Sequence, residues 1–388
     1  MERINGSPEP YIIQYLHNKA GRMKRPVNAT FELTSRCNFN CKMCYVHDAD
    51  CNRNRPLELT AAQWIDIAGQ AEKAGTLFVL LTGGEPLLRE DFGEIYAAIA
   101  KMGFVISVNT NLSLLTEETL ELFTRYRPNR VNVSLYGADN GVYAALCGVP
   151  AFETVAANIK KLRQREIPVK INSSITPYNL ANAPDIMRFC EENNLHLKAT
   201  AYMFPSARLG CCRERLSPQA AAEFRAAVDR YKLTAEEFAE RTRRITEGIA
   251  FERERECPEI DTPERGIRCR AGSSTLWIDW RGNMSYCGMI PAPEDNNVPR
   301  LGFEACWRRT MAEAQAVRMP KKCLTCEYRH FCSLCAAAQF CETGGFEEPP
   351  SYVCEISARV PRAYQALCGN TPGGGPGKEQ TDGFQIKK

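Results

Sequence analysis

Three cysteines, Cys37, Cys41 and Cys44, stand at i, i+4 and i+7 in the stretch Cys37-Asn-Phe-Asn-Cys41-Lys-Met-Cys44-Tyr45. Thiolates on one tight loop hold soft metals, and three of them leave one iron of a 4Fe-4S cluster open to a ligand from outside the protein. A closed structural zinc site would need a fourth nearby ligand, for which His47 and Cys51 are the candidates. A second stretch, Thr82-Gly83-Gly84-Glu85-Pro86, sets a carboxylate after two glycines, which let a backbone approach a ligand closely. A third field lies toward the C-terminus, with Cys257, Cys269, Cys287, Cys306, Cys323, Cys326, Cys332, Cys335, Cys341 and Cys354. Its core reads Cys323-x2-Cys326-x5-Cys332-x2-Cys335, and such CxxC pairs suit either an iron-sulfur cluster or a tetrahedral zinc ribbon.

These groups must be positioned by regular elements. From Ala29 onward short apolar runs alternate with amphipathic segments, the pattern of repeated βα units on a parallel sheet. Strands are predicted at 29–34, 77–81, 104–109, 130–135, 168–174 and 195–202, with helices at 60–74, 91–102, 116–126, 151–165 and 182–193. Thr60 and Thr116 are N-cap candidates. Six such units fit a partial TIM-like barrel. Ligands of parallel α/β folds gather at the carboxyl ends of strands, and the cysteine loop and glycine turn both fall on that rim. The same rim carries Asn109, Asn111, Ser134 and Asn172, which serve a ligand or a turn.

Around the barrel the reading is an N-terminal extension at 1–28 with a helix at Tyr11–Ala20, a barrel at 29–205 and a charged helical connector at 206–256. A cysteine-rich domain at 257–366 and a polar, Gly-Pro-rich disordered tail at 367–388 complete it. The connector should hold helices at 217–230 and 234–248, opened by Cys211-Cys212, adjacent thiols suited to packing or to facing the substrate rather than to one metal. The stretch Ser274–Ser285 reads as a hairpin turning at Arg281-Gly282-Asn283, which would bring Cys269 and Cys287 near each other.

Composition narrows the classes. The 388 residues carry 49 basic and 46 acidic side chains, a net charge of +3, so no nucleic-acid footprint stands out. No apolar run is long enough to span a bilayer and no signal peptide opens the chain, which predicts a cytoplasmic protein with no membrane partner. The 19 cysteines fall in metal-type spacings rather than a small secreted framework. His17, His47, His196 and His330 share no ligand spacing.

The cysteine loop and glycine turn together resemble the radical S-adenosylmethionine (SAM) enzymes. The resemblance implies that Cys37, Cys41 and Cys44 bind a 4Fe-4S cluster whose open iron chelates the cofactor. It puts Tyr45 near the adenine and Gly83, Gly84, Glu85 and Pro86 at the cofactor's ammonium. Ser134 becomes a ribose contact and Asn109 a further polar contact. Relatives often end the fourth strand Ser-Leu-Asp-Gly, where this chain has Tyr136, and Cys147 stands where an arginine was sought. Arg208 is the substitute cation for the cofactor carboxylate.

The C-terminal field resembles the SPASM extension, which houses up to two auxiliary 4Fe-4S clusters. Carried over, Cys323, Cys326, Cys332 and Cys354 hold the second auxiliary cluster, and Cys269, Cys287 and Cys335 the first. The last spacing of the block is one residue short of the family's usual pattern, Cys341 rivals Cys335, and Thr275 stands where some relatives supply a fourth ligand. The implied chemistry is one-electron reduction of the cofactor, from a flavodoxin or ferredoxin, to a 5′-deoxyadenosyl radical that takes a hydrogen atom from substrate. A ribosomal precursor peptide, crosslinked through a thioether or carbon–carbon bond, is the first expectation. With only 28 residues before the first strand, it would be recognised without a built-in leader-binding domain. Alternatives are sulfatase-type oxidation of Cys or Ser to formylglycine, a small-metabolite reaction, and an electron carrier. No catalytic acid or base is assigned, Asp279 lying inside the hairpin.

Overall fold

A computed structural model of the chain describes residues 11–46, 53–205, 214–249 and 264–368. Six parallel strands are formed by β1 (Asn28–Glu32), β2 (Phe78–Thr82), β3 (Val105–Thr110), β4 (Arg130–Ser134), β5 (Val169–Ser174) and β6 (His196–Thr200), each within two residues of the sequence expectation at its start. The intervening helices are Ala61–Lys73, Phe92–Lys101, Glu117–Arg125, Phe152–Gln164 and Ala183–Glu192. Thr60 accepts from the Gln63 amide while the Gln63 side chain answers the Thr60 amide, a reciprocal cap that fixes where the first of these helices begins. Thr116 caps the Glu117–Arg125 helix through the Thr119 amide.

Strand alternation divides the sheet into two faces. Ala29, Phe31, Val79, Leu81, Ile106, Val108, Val131 and Val133 face the helices and form one continuous core, with Phe31 against Trp64 at 5.4 Å between rings. The opposite face carries Thr30, Glu32, Asn109 and Asn132, and the Asn132 amide donates to Asn109 Oδ1 at 2.8 Å. That polar inner face is what a barrel lumen requires.

The sheet does not stop at six strands. β7 (Thr275–Ile278) pairs in parallel with β1, Thr30 opposite Trp277, and β8 (Met284–Ser285) closes the expected hairpin antiparallel to it. The strand order is therefore β6-β5-β4-β3-β2-β1-β7-β8, so the cysteine-rich region shares the barrel's sheet. Gly282 turns the hairpin at φ +88°. The connector helices Pro218–Lys232 and Ala235–Thr246 pack on the last helix, Ser351–Cys368, through Phe238 stacked on Tyr364 at 5.5 Å. An additional helix, Asn140–Cys147, follows β4, capped by Asp139 and stopped by left-handed Gly148. Among the described residues no single helix is long and apolar enough to cross a membrane.

Candidate iron-sulfur and cofactor site

The cysteine loop leaves β1 and is gripped from three directions. The glycine turn extends the β1–β2 ladder beyond the strands: Leu33 N donates to Thr82 O, Gly84 N to Thr34 O and Glu85 N to Arg36 O, each at 2.8 Å. From the loop after β3, Asn111 donates to Asn38 Oδ1 at 2.9 Å, and Asn38 donates to Ser113. From the other side, Asn40 N and Lys42 N donate to the carbonyls of Cys147 and Leu146 at the end of the Asn140–Cys147 helix.

Gly84 is required by space. A Cβ there would stand 2.3 Å from the Arg36 carbonyl oxygen, immediately before Cys37. Gly84→Ala is therefore expected to push the cysteine loop off the turn and cost about 1–3 kcal/mol. The checks are thermal unfolding and iron retention at the three cysteines, and an alanine variant with unchanged melting and iron content would contradict this role.

Beneath the turn a charged network clamps both stretches. Glu58 accepts from Arg36 Nε at 3.0 Å, from Arg36 Nη2 at 3.1 Å and from the Thr34 hydroxyl. Arg89, with its side chain 4 % exposed, forks onto both oxygens of Asp91 at 2.8 and 2.7 Å and donates to the carbonyls of Leu33 and Leu59. Its guanidinium also lies 3.7 Å from Glu58. Sequence reading missed this network, in which Arg89, three residues past Pro86, meets partners that only the fold brings to it.

Glu85 is fully buried and ties the ends of β2 and β3 together, accepting from the Thr110 hydroxyl at 2.7 Å, Asn111 N at 2.6 Å and Leu87 N at 3.0 Å. Burial pushes its carboxyl up to about 7, against the three donors that pull it down. The folded state thus holds a proton that the unfolded chain has lost, so stability is highest below the unfolded value and falls as pH rises through about 7. In metal-free protein Glu85→Gln should remove about 3 kcal/mol of that decline between pH 4.5 and 7, read as the difference in urea midpoints at pH 5 and pH 8. A variant with the wild-type slope would show that another group titrates.

The thiols are poised for a metal that displaces protons. Burial pushes Cys37 up to about 12, with Glu85, Cys41 and Cys44 adding to it against the Phe39 amide. Cys41 is raised first by a hydrogen bond with Cys147 and then by burial. Cys147, fully buried, thus brings a fourth thiol against the loop, and the residue before Gly148 was its sequence signal. Tyr136 is raised well above its ordinary value by burial, with Cys41 and Cys44 among its neighbours. Such groups stay neutral until a soft cation takes the thiols' protons. His47, Cys51, Arg208, Cys211, Cys212 and Cys257 lie outside the described residues.

Residues 31–190 match the Radical SAM superfamily. Over that range, from β1 through the Ala183–Glu192 helix, the chain is similar to a radical SAM domain. It is 26% identical to the AdoMet-dependent heme synthase of Methanosarcina barkeri over 338 residues, covering 83% of this chain and 94% of that protein. It is 28% identical to the sporulation killing factor maturation protein SkfB of Bacillus subtilis over 165 residues, 42% of this chain and 40% of SkfB. In fold it is similar to Streptococcus suis SuiB, solved bound to its precursor peptide SuiA, with a TM-score of 0.63 at 17% identity, over 90% of this chain and 82% of SuiB. The superfamily binds SAM and a 4Fe-4S cluster.

Beyond residues 31–190, eight of the described cysteines fall into two groups. Cys323, Cys326, Cys332 and Cys354 all line one cavity of about 370 Å³ with Met319, Leu334 and Val353 on its walls. Burial pushes Cys323 up to about 11, with Cys354, Cys332 and Cys326 adding to it. Elsewhere Cys287 is pushed up to about 12 by burial, with Cys269, Cys335 and Cys341 adding to it against the Met289 amide. Thr275 is committed to β7 opposite Asn28. Among the described residues no three His, Cys, Asp or Glu side chains are drawn tightly enough together to hold a single ion.

A second cavity, about 220 Å³, opens beside Tyr45 at the carboxyl end of β1, lined by Glu32, Trp277, Asp279, Trp280 and Glu294. Asp279 sits inside the hairpin, accepting from the amides of Arg281 and Asn283 at 2.9 Å, yet it faces this cavity, and burial pushes its carboxyl up to about 6. Asn109, Ser134 and Asn172 lie on the inner face of the sheet, Ser134 opposite Asn172 across β4 and β5.

Proposed function

We propose that this chain is a radical SAM enzyme with two auxiliary 4Fe-4S clusters, acting on a peptide whose side chain enters the cavity beside Tyr45. When bound, the cluster and SAM supply a 5′-deoxyadenosyl radical that removes hydrogen from an unactivated carbon. Cys37, Cys41 and Cys44 would hold the cluster, and the ladder from Gly84 and Glu85 to Thr34 and Arg36 would set the cofactor's ammonium next to it. Tyr45 would lie at the adenine, Ser134 and Asn109 at the ribose side, and Arg208 at the carboxylate. Thiols spread along a loop suit a cluster of several irons better than one zinc, around which sulfurs about 2.3 Å from the metal must crowd together. On this reading 29–205 is the barrel, 206–256 the connector and 257–366 a SPASM-type domain.

The observation that carries the peptide reading is the size and lining of the mouth cavity. At about 220 Å³ it falls below the ~300–1,000 Å³ of sites that enclose a whole drug-sized ligand, and it suits one inserted side chain. Its walls include two tryptophans, and against its three carboxylates, Glu32, Asp279 and Glu294, stands one cation, Arg281, already paired with Glu294, a lining that disfavours a polycarboxylate. The likeness to SkfB agrees with this choice. A second reading, a tetrapyrrole substrate, is favoured by the near full-length match to a heme synthase. Sulfatase-type oxidation gains a candidate base in Asp279, whose carboxyl faces the same cavity.

The test is incubation of the reduced holoenzyme with small peptides encoded beside its gene and, separately, with iron-porphyrin carboxylic acids. The peptide reading expects a mass loss of about 2 Da per crosslink, one hydrogen from each carbon or sulfur joined, with SAM as the net oxidant, consumed to 5′-deoxyadenosine and methionine, and a flavodoxin or ferredoxin supplying the priming electron. Porphyrin turnover with inert peptides would replace it by the second reading.

A further inference from the structure

The sequence leaves the first auxiliary cluster with three ligands, Cys269, Cys287 and Cys335, and a missing fourth. The residue that meets this group in the fold is Cys341. Its Sγ donates to the carbonyl of Met289, two residues past Cys287, at 3.1 Å. Cys335 is the N-cap of the Ala336–Thr343 helix, its sulfur accepting from Ala338 N at 3.4 Å, and Cys341 lies in that same helix. Both thiols are therefore carried by one short rigid element to the turn that carries Cys287.

The helix is anchored so that this placement holds. Glu342, next to Cys341, accepts from the Tyr202 hydroxyl at 3.0 Å and from Arg215 at 2.5 Å, and Arg215 lies over the Tyr352 ring at 3.6 Å. Ala336, at the helix start, packs into the small core that holds Cys287. Cys306 differs, being fully buried within the Phe303–Ala316 helix, with its carbonyl accepting from the Asn296 amide.

We propose that Cys341 is the fourth thiolate of the first auxiliary cluster, completing Cys269, Cys287 and Cys335 into a closed four-thiolate site. This rests on the reading that the C-terminal region houses auxiliary clusters. Four protein thiolates leave no iron open to a substrate thiol or amine. The first auxiliary cluster then serves electron passage, and substrate is held by the barrel mouth alone.

The test uses full-length, anaerobically reconstituted protein in which Cys37, Cys41 and Cys44 are alanine, so that the open iron of the radical SAM cluster is absent. This parent is expected to hold about eight irons, four per cluster. Its reduced paramagnetic resonance spectrum should not respond to cyanide. Cys341→Ala should open one iron: cyanide then alters the reduced spectrum, and mild oxidation yields a three-iron signal with loss of about one iron. Cys341→Ser should keep the cluster at a changed reduction potential, and Cys306→Ala should match the parent. Cys287→Ala, which also removes one of the four thiolates, should likewise become cyanide-responsive and lose about one iron on mild oxidation. If it does while Cys341→Ala stays cyanide-insensitive with full iron, or if the parent already responds to cyanide, the assignment of Cys341 is overturned. If Cys287→Ala loses nothing, the auxiliary-cluster reading falls and takes this assignment with it.

Discussion

Replacing Cys37, Cys41 and Cys44 together by alanine is expected to remove four of about twelve irons and to leave the other eight in place. The three thiols hang on one loop, fixed by the glycine turn, the Asn111 loop and the Asn140–Cys147 helix, whereas the eight C-terminal thiols are carried by other elements. The loss should therefore be confined to one cluster, with secondary structure unchanged, because the replaced side chains are only half-buried. Iron and sulfide analysis with Mössbauer spectra of both proteins checks this. Loss of all twelve irons would mean that the loop organises the C-terminal region as well, and stoichiometric zinc in place of iron would remove the cluster assignment.

Arg89→Ala should produce the largest loss of stability, about 2–4 kcal/mol, because it takes a buried cation from Asp91 and from Glu58, which keeps Arg36, and leaves the Leu33 and Leu59 carbonyls without their donor. All three guanidinium nitrogens of Arg89 are used, on Asp91, on two backbone carbonyls and near Glu58. Glu58 in turn holds Thr34 and Arg36, so the damage is transmitted to the start of the cysteine loop. Arg89→Lys keeps the charge without the planar fork and should fall between alanine and wild type. Urea unfolding of the metal-free proteins measures the effect, and a midpoint for Arg89→Ala within about 1 kcal/mol of wild type would show that the network is dispensable.

The contrast between these two experiments marks what could be read from sequence. Cys37, Cys41 and Cys44, the glycine turn, the six strands and the caps at Thr60 and Thr116 leave local signals, a fixed spacing or a period of two. Arg89 leaves none, since its partners Leu33, Leu59 and Glu58 are brought to it only by the β1–β2 pairing. The same holds for β7, a short strand whose place beside β1 depends on residues more than two hundred positions away. Cys147 and Cys341 were visible as cysteines, but their neighbours were not. Cys147 reaches Cys41 because a helix of eight residues, starting Asn-Gly and too short for a clear period, folds back under the loop. Cys341 reaches the Cys287 turn because the Ala336–Thr343 helix is pinned through Glu342. Asp279 shows the reverse case, a residue set aside as a turn element that both caps its turn and faces the mouth cavity.

On the proposed function, this chain turns the sulfonium of SAM into radical chemistry at Cys37, Cys41 and Cys44. The most direct measurement is chromatography of the products after incubating reconstituted, dithionite-reduced protein with SAM alone. The account predicts 5′-deoxyadenosine and methionine in equal amounts, formed slowly because no substrate C–H bond is positioned, and neither product from the triple alanine variant. Fully loaded, reduced protein that leaves SAM intact would contradict it.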